Sequence, residues 1–221
     1  MKDGSREVES DPAPLATLRR FVRQRVPAER CELCGKGLAP EHAHLVRPEG
    51  RQLVCACDPC AILFVGAGAS AYKRVPRRIS RLTDFTLTDE QWDALMIPID
   101  LAFFVYSSPA GQMTAVYPSP AGPTESLLQF TTWRDIAAGH PRLEALAPDV
   151  EALLVNRVRH RTANSTPTYY VVPIDECYKL VGLIRKAWRG LSGGTVVWGE
   201  IAEFFAQLDA RADAPGERAR A

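Results

Sequence analysis

The text Cys31-Glu32-Leu33-Cys34 is answered by Cys57-Asp58-Pro59-Cys60 after 22 intervening residues. Two C-x2-C pairs at this separation restrict the fold more than any other feature of the chain. Two residues between cysteines let the backbone curl until both sulfurs face one centre, and two such pairs complete a tetrahedron of thiolates. Four thiolates suit zinc or iron and do not suit magnesium or calcium. Five of the six cysteines fall within residues 31–60, a density that core packing does not call for. Cys31, Cys34, Cys57 and Cys60 are therefore the expected metal ligands.

The two pairs have different C-terminal neighbours. Gly35 comes after the first and relieves a tight knuckle where a Cβ would be strained. Ala61-Ile62-Leu63-Phe64 comes after the second, with Pro59 placed for a first helical turn. A knuckle in front and a helix behind predict a small treble-clef or zinc-ribbon-like metal module. A rubredoxin-type iron site would repeat the glycine knuckle. The start of a helix also favours thiolate charge. Zinc is the expected cofactor, and iron, in a rubredoxin-like electron carrier, is the alternative.

Cys55, His42 and His44 exceed four ligands. Any one of them could replace a cysteine in the site, Cys55 foremost. His42 and His44 point the same way if their segment is a strand; they could form a second, open site, flank the first, or lie on the surface. Glu41-His42-Ala43-His44 also resembles the treble-clef nucleases, where a histidine activates water beside a catalytic metal. The first asparagine of this chain is Asn156, so the downstream asparagine of that pattern is absent. No Ser–His–Asp spacing or dinucleotide fingerprint appears, and the glycine-rich residues 65–70 lack the Gly-Lys-Ser/Thr ending of a phosphate loop. No catalytic residue is assigned, and an enzymatic role is not expected.

The net charge of +1 hides an uneven distribution. Residues 18–81 carry 13 Lys+Arg against 5 Asp+Glu, whereas residues 82–221 carry 12 against 17. The simplest consequence is attraction between the two parts, and an acidic protein or a nucleic acid is the other class of partner for the basic part. Arg74, Arg77 and Arg78 would carry a nucleic-acid contact. No apolar run approaches the roughly 20 residues of a membrane span. The stretch MKDGSREVESDPAPLA has no apolar segment of the kind a secretory signal needs. A cytoplasmic location is expected, where thiols serve as ligands rather than in disulfides.

Patterning divides the chain into a tail and short amphipathic helix (1–27), the cysteine module (28–65), a basic linker (66–84), an α+β domain (85–210) and a polar tail (211–221). Thr88 with Gln91 predicts a capping box. Residues 101–106 (LAFFVY) and 112–117 (QMTAVY) predict a hairpin. Residues 118–123 predict a loop, and Thr124 a cap for the apolar segment to Trp133. Residues 149–158 carry apolar side chains at helical spacing, and 168–172 (TYYVV) predict a strand. Asp175 is expected to cap a helix with Cys177 on its buried stripe. Val197, Ile201, Phe204, Phe205 and Leu208 mark one face of a last helix. Hairpin, helices and a late strand together predict an α+β fold. Residues 28–65 are too few to bury an adequate core, so metal would supply much of their folding free energy, and residues 85–210 are expected to fold without it.

Several stretches together resemble one family: CELCG (31–35), HAHL (42–45), CACDPC (55–60), Arg74-Val75-Pro76, LAFF (101–104), YPSPAGPTES (117–126), DVEALLVNR (149–157) and PIDECYKLVGLIRKAWRGLSGG (173–194). The chain resembles an uncharacterised, mainly actinobacterial family often encoded beside uptake nickel–iron hydrogenases and their maturation genes. The resemblance implies a hydrogenase-linked accessory role with a protein partner. It carries over no catalytic residue.

Overall fold

The computed structural model describes residues 29–65, 71–126, 130–158, 165–190 and 193–212. The amphipathic helix expected before Pro27, the glycine-rich loop after Val65 and nearly all of the C-terminal tail lie outside these residues. In chain order the elements are β1 (Ala43–Arg47), β2 (Gln52–Ala56), α1 (Asp58–Leu63), β3 (Lys73–Arg74), β4 (Ser80–Arg81), α2 (Asp89–Ala94), β5 (Leu101–Ser107), β6 (Gln112–Ser119), β7 (Gly122–Ser126), α3 (Phe130–Ala137), α4 (Pro141–Glu144), β8 (Glu151–Asn156), β9 (Thr168–Pro173), α5 (Ile174–Ala187) and α6 (Gly194–Arg211). The architecture is mixed α+β with antiparallel sheets. Among the described residues no helix is long and apolar enough to cross a membrane.

A six-stranded sheet of order β4-β9-β8-β5-β6-β7 forms the centre. Three of its inner strands carry unbroken buried runs, Leu101–Val105, Ala152–Val155 and Tyr169–Val172, because both faces are covered. Side chains alternate along a strand, so Leu101, Phe103 and Val105 pack with α5 and α6 on one face. Ala102 and Phe104 pack with α2, α3 and α4 on the other. Tyr170 and Val172 share the first face, and Tyr169 and Val171 the second. Thr88 caps α2 through the expected reciprocal box with Gln91. Arg157 is fully buried; it donates to the Leu87 carbonyl at 2.9 Å, pairs with Asp89 and lies over the Trp92 ring.

Four local expectations are corrected. Residues 149–158 are not helical: Glu151–Asn156 form β8, paired with β5 and β9. An unbroken apolar run such as Ala152–Val155 carries no period of its own, and sheet pairing on both sides decides it. Residues 118–123 are no free loop, because β6 continues through Pro118 and turns into β7. The β5–β6 ladder ends at Phe103 and Val116, short of Pro118, whose partner is Pro123 on the edge strand. Thr124 sits within β7 and caps nothing. Asp175 lies in the first turn of α5 but makes no cap bond, and Pro173 holds the N-cap position.

The cysteine-rich segment forms a three-stranded sheet of order β2-β1-β3. The stretch expected as a solvated basic linker supplies both β3 and β4, and Val75, Ile79 and Leu82 within it are buried. Val46 and Val75 belong to the same apolar cluster as Phe103 and Leu180. Opposite charges also meet across the two parts: Arg51 with Glu125 at 2.7 Å, Lys73 with Asp149 at 2.6 Å and Arg81 with Asp209 at 2.9 Å.

Asp149 is the most buried of these carboxylates. Besides Lys73 it accepts from the Ser108 backbone N–H at 2.8 Å and from the Ser108 hydroxyl. Burial opposes its charge, yet the Lys73 and Ser108 bonds win and hold its carboxyl below the usual range. A lowered carboxyl contributes stability that is complete above its unfolded pKa and is lost as pH falls through the folded value. Asp149→Asn keeps the left-handed backbone (φ 70°), a conformation asparagine tolerates. It should cost about 2 kcal/mol at neutral pH. Chemical denaturation at a series of pH values checks this: the gap to the parent should close below about pH 4, and a pH-independent gap would contradict it.

Candidate metal centre

The first cysteine pair is shaped by backbone bonds within the knuckle. The Gly35 N–H donates to the Cys31 carbonyl at 2.7 Å, and the Cys31 N–H to the Lys36 carbonyl at 2.8 Å. Gly35 has φ 76°, so a side chain there would be strained. Glu32 then fastens the knuckle to β2. Its N–H donates to the Cys55 carbonyl at 2.9 Å, and its carboxylate accepts from the Cys55 N–H at 2.8 Å. The second pair stands at the start of α1, with Cys57 as N-cap residue and Cys60 one turn on.

These elements bring Cys31, Cys34, Cys57 and Cys60 together, with all four sulfurs within 4.8 Å of one another. The Sγ atoms of Cys34 and Cys57 are 3.7 Å apart. Four sulfurs about 2.3 Å from a shared ion would stand roughly 3.8 Å from each other, so the set has the dimensions of a tetrathiolate site. Cys31, Cys57 and Cys60 are buried, and Cys34 is on the surface. All are free of disulfides.

Charge in the cluster falls unevenly. Burial opposes ionisation of Cys31, but the N–H groups of Cys57, Leu33 and Cys34 turned toward its sulfur bring the thiol down to about 6. At Cys60 burial and the neighbouring thiols of Cys57, Cys34 and Cys31 push it up to about 12. The Cys31 thiolate is thus favoured, and ionisation of Cys60 is opposed until a cation compensates it. The cluster can hold a metal ion, and loading it must release protons.

His42, His44 and Cys55 form a second group, with one ligand atom from each within 4.8 Å of the others. The register explains the separation. Ala43 faces Ala56 and Leu45 faces Val54, and these four pack with Cys31, Cys57 and Cys60. His44 faces Cys55 and Val46 faces Leu53, so this set occupies the opposite side of the hairpin. Cys55 therefore belongs with the histidines rather than with the four sulfurs.

Two contributors escape the sequence. Asp175 accepts from His44 Nδ1 at 2.8 Å across 131 positions of chain, and no local pattern marks that contact. Glu32 reads as the variable middle of a C-x2-C pair, although it ties the knuckle to β2 by two bonds.

The model of a family of unknown function, DUF5947, matches residues 30–212. The chain belongs to this family. The DUF5947 match takes in both ligand groups and Asp175. No curated protein and no solved structure matches the chain.

The geometry separates the cysteines by role. Cys57→Ser should lose the tightly held metal, and Cys55→Ser should keep it, as read by elemental analysis after desalting. Equal loss in both, or loss only at Cys55, would contradict the division between the two faces of the hairpin.

Proposed function

We propose that this chain is a zinc-stabilised accessory protein and not an enzyme. One zinc ion, held by Cys31, Cys34, Cys57 and Cys60, fixes a treble-clef-like module against the α+β domain, and the assembled surface docks a protein partner. The observation that carries the proposal is the convergence of four thiols from a knuckle and a helix start. Knuckle, hairpin and helix succeed one another in the order of a treble clef, which supports that assignment. Zinc is favoured over iron because the second pair lacks the glycine knuckle of a rubredoxin-type site. Four protein ligands close the coordination sphere, as in structural zinc sites.

Protein docking is supported by the exposed apolar residues Ile62 and Leu63 at the end of α1, 68% and 73% accessible. The family resemblance supports a cytoplasmic partner connected with nickel–iron hydrogenase assembly or maturation. Two measurements on the purified full chain test the proposal. Elemental analysis should find about one tightly bound zinc per chain in a colourless protein. Strong visible thiolate-to-iron bands in protein made with adequate zinc would overturn it in favour of an electron carrier. Tagged chain recovered from hydrogenase-producing cells should bring hydrogenase or its maturation proteins with it. Recovery of nucleic acid instead, lost steeply with salt, would favour a zinc-finger nucleic-acid-binding protein.

A further inference from the structure

His42, His44 and Cys55 carry more than the proximity of three polar side chains. The His42 Nδ1 lies 2.9 Å from the Ala39 carbonyl oxygen. A carbonyl only accepts, so Nδ1 carries the proton and the neutral ring presents a lone pair at Nε2. The His44 Nδ1 lies 2.8 Å from the Asp175 carboxylate, which fixes the same tautomer. Orientation of a ligating imidazole by a carboxylate or carbonyl on its other nitrogen is the usual outer arrangement of metal-bound histidine. Here both rings have it.

The second observation is a missing partner. The His42 side chain is 7% exposed, and its Nε2 is buried without a hydrogen-bond partner among the described residues. A desolvated nitrogen lone pair with nothing to accept from is disfavoured. The His44 ring lies edge-on to the His42 ring with centroids 4.7 Å apart, and the Cys55 thiol falls within 4.8 Å of a ligand nitrogen of each histidine. A cation among the three would satisfy it.

We propose that His42, His44 and Cys55 bind a second metal ion through two imidazole nitrogens and one thiolate. Mixed nitrogen and sulfur ligation selects a borderline transition-metal cation such as zinc, cobalt or nickel over calcium or magnesium. Three protein ligands leave a coordination position open, the feature that distinguishes exchangeable sites from closed structural ones. Both histidines line a cavity of about 670 Å³ whose lining also includes Asp175 and Glu176 of α5 and Arg211 of α6. The fourth ligand, water or a small donor molecule, would enter from there. The site is independent of the tetrathiolate centre, from which the hairpin separates it. Because Asp175 belongs to α5, occupancy would tighten the hairpin against the main domain.

The test uses the full chain carrying its one tight zinc, titrated with cobalt(II) as the probe. One further equivalent should bind, with a near-ultraviolet sulfur-to-cobalt band and no release of zinc. Cys55→Ser should abolish that band and keep the zinc. His42→Ala should weaken cobalt binding at least tenfold, and Asp175→Asn should weaken it about 10- to 100-fold. Proton NMR of the parent protein provides a reading without substitution: the His42 and His44 ring signals should move with the second equivalent while those of His140 stay. No uptake beyond the tight zinc, unmoved histidine signals, or cobalt uptake matched by zinc loss would each overturn the proposal. Absence of the tight zinc from the starting protein would instead overturn the tetrathiolate proposal.

Discussion

The convergence of Cys31, Cys34, Cys57 and Cys60 is the constraint on which the N-terminal part of the structure depends. The cluster around them contains Ala43, Leu45, Val54, Ala56 and Ala61 besides three of the cysteines. Of its fully buried aliphatic members only Leu45 and Val54 are larger than alanine, with Leu33, Leu38, Val65 and Tyr72 partly buried against them; burying two such side chains fully yields about 3–6 kcal/mol. Ordering the backbone of residues 29–65 costs about 1–2 kcal/mol for each residue fixed, far more than that core returns. Contacts with the main domain through Val46, Val75 and Lys73 recover part of the difference. A metal ion held by the four thiols would add to these contacts; structural zinc in small modules is worth on the order of 10–16 kcal/mol at neutral pH.

One hairpin serves two purposes because strand side chains alternate. Its inward face carries small residues, Ala43 and Ala56, that leave room for the sulfurs beside them. Its other face carries Val46 and Leu53 toward the main core, with His44, Cys55 and the preceding His42 at one end. A one-residue slip of β1 against β2 would exchange these faces and scatter both groups. The 3₁₀ turn Pro48–Gly50, followed by Arg51 in the left-handed region at φ 47°, helps fix that register. Lys73 with Asp149 and His44 with Asp175 then tie the module to the strands and helix behind it.

Features set by neighbouring residues were legible before folding. The C-x2-C spacing, Gly35 in its knuckle, the Thr88–Gln91 box, the hairpin from LAFFVY to QMTAVY and the apolar stripe of the last helix all depend on a few adjacent positions. Features set by distant chain were not. Residues 149–158 become a strand because β5 and β9 flank them, and nothing within the segment declares those partners. Asp175 reads as a helix cap from its position alone, yet the partner it finds is His44. The basic segment 66–84 reads as solvated from its arginines, while Val75, Ile79 and Leu82 between them are the residues that pack. The opposed charges of the two parts pointed to their mutual attraction, although not to which side chains meet.

Zinc-edge X-ray absorption of the full chain loaded with a single equivalent of zinc addresses the tetrathiolate centre without any substitution. Ligation by Cys31, Cys34, Cys57 and Cys60 predicts one shell of four sulfurs at about 2.3 Å with no histidine scattering. A first shell dominated by nitrogen or oxygen at about 2.0–2.1 Å would contradict it and place the tight ion elsewhere.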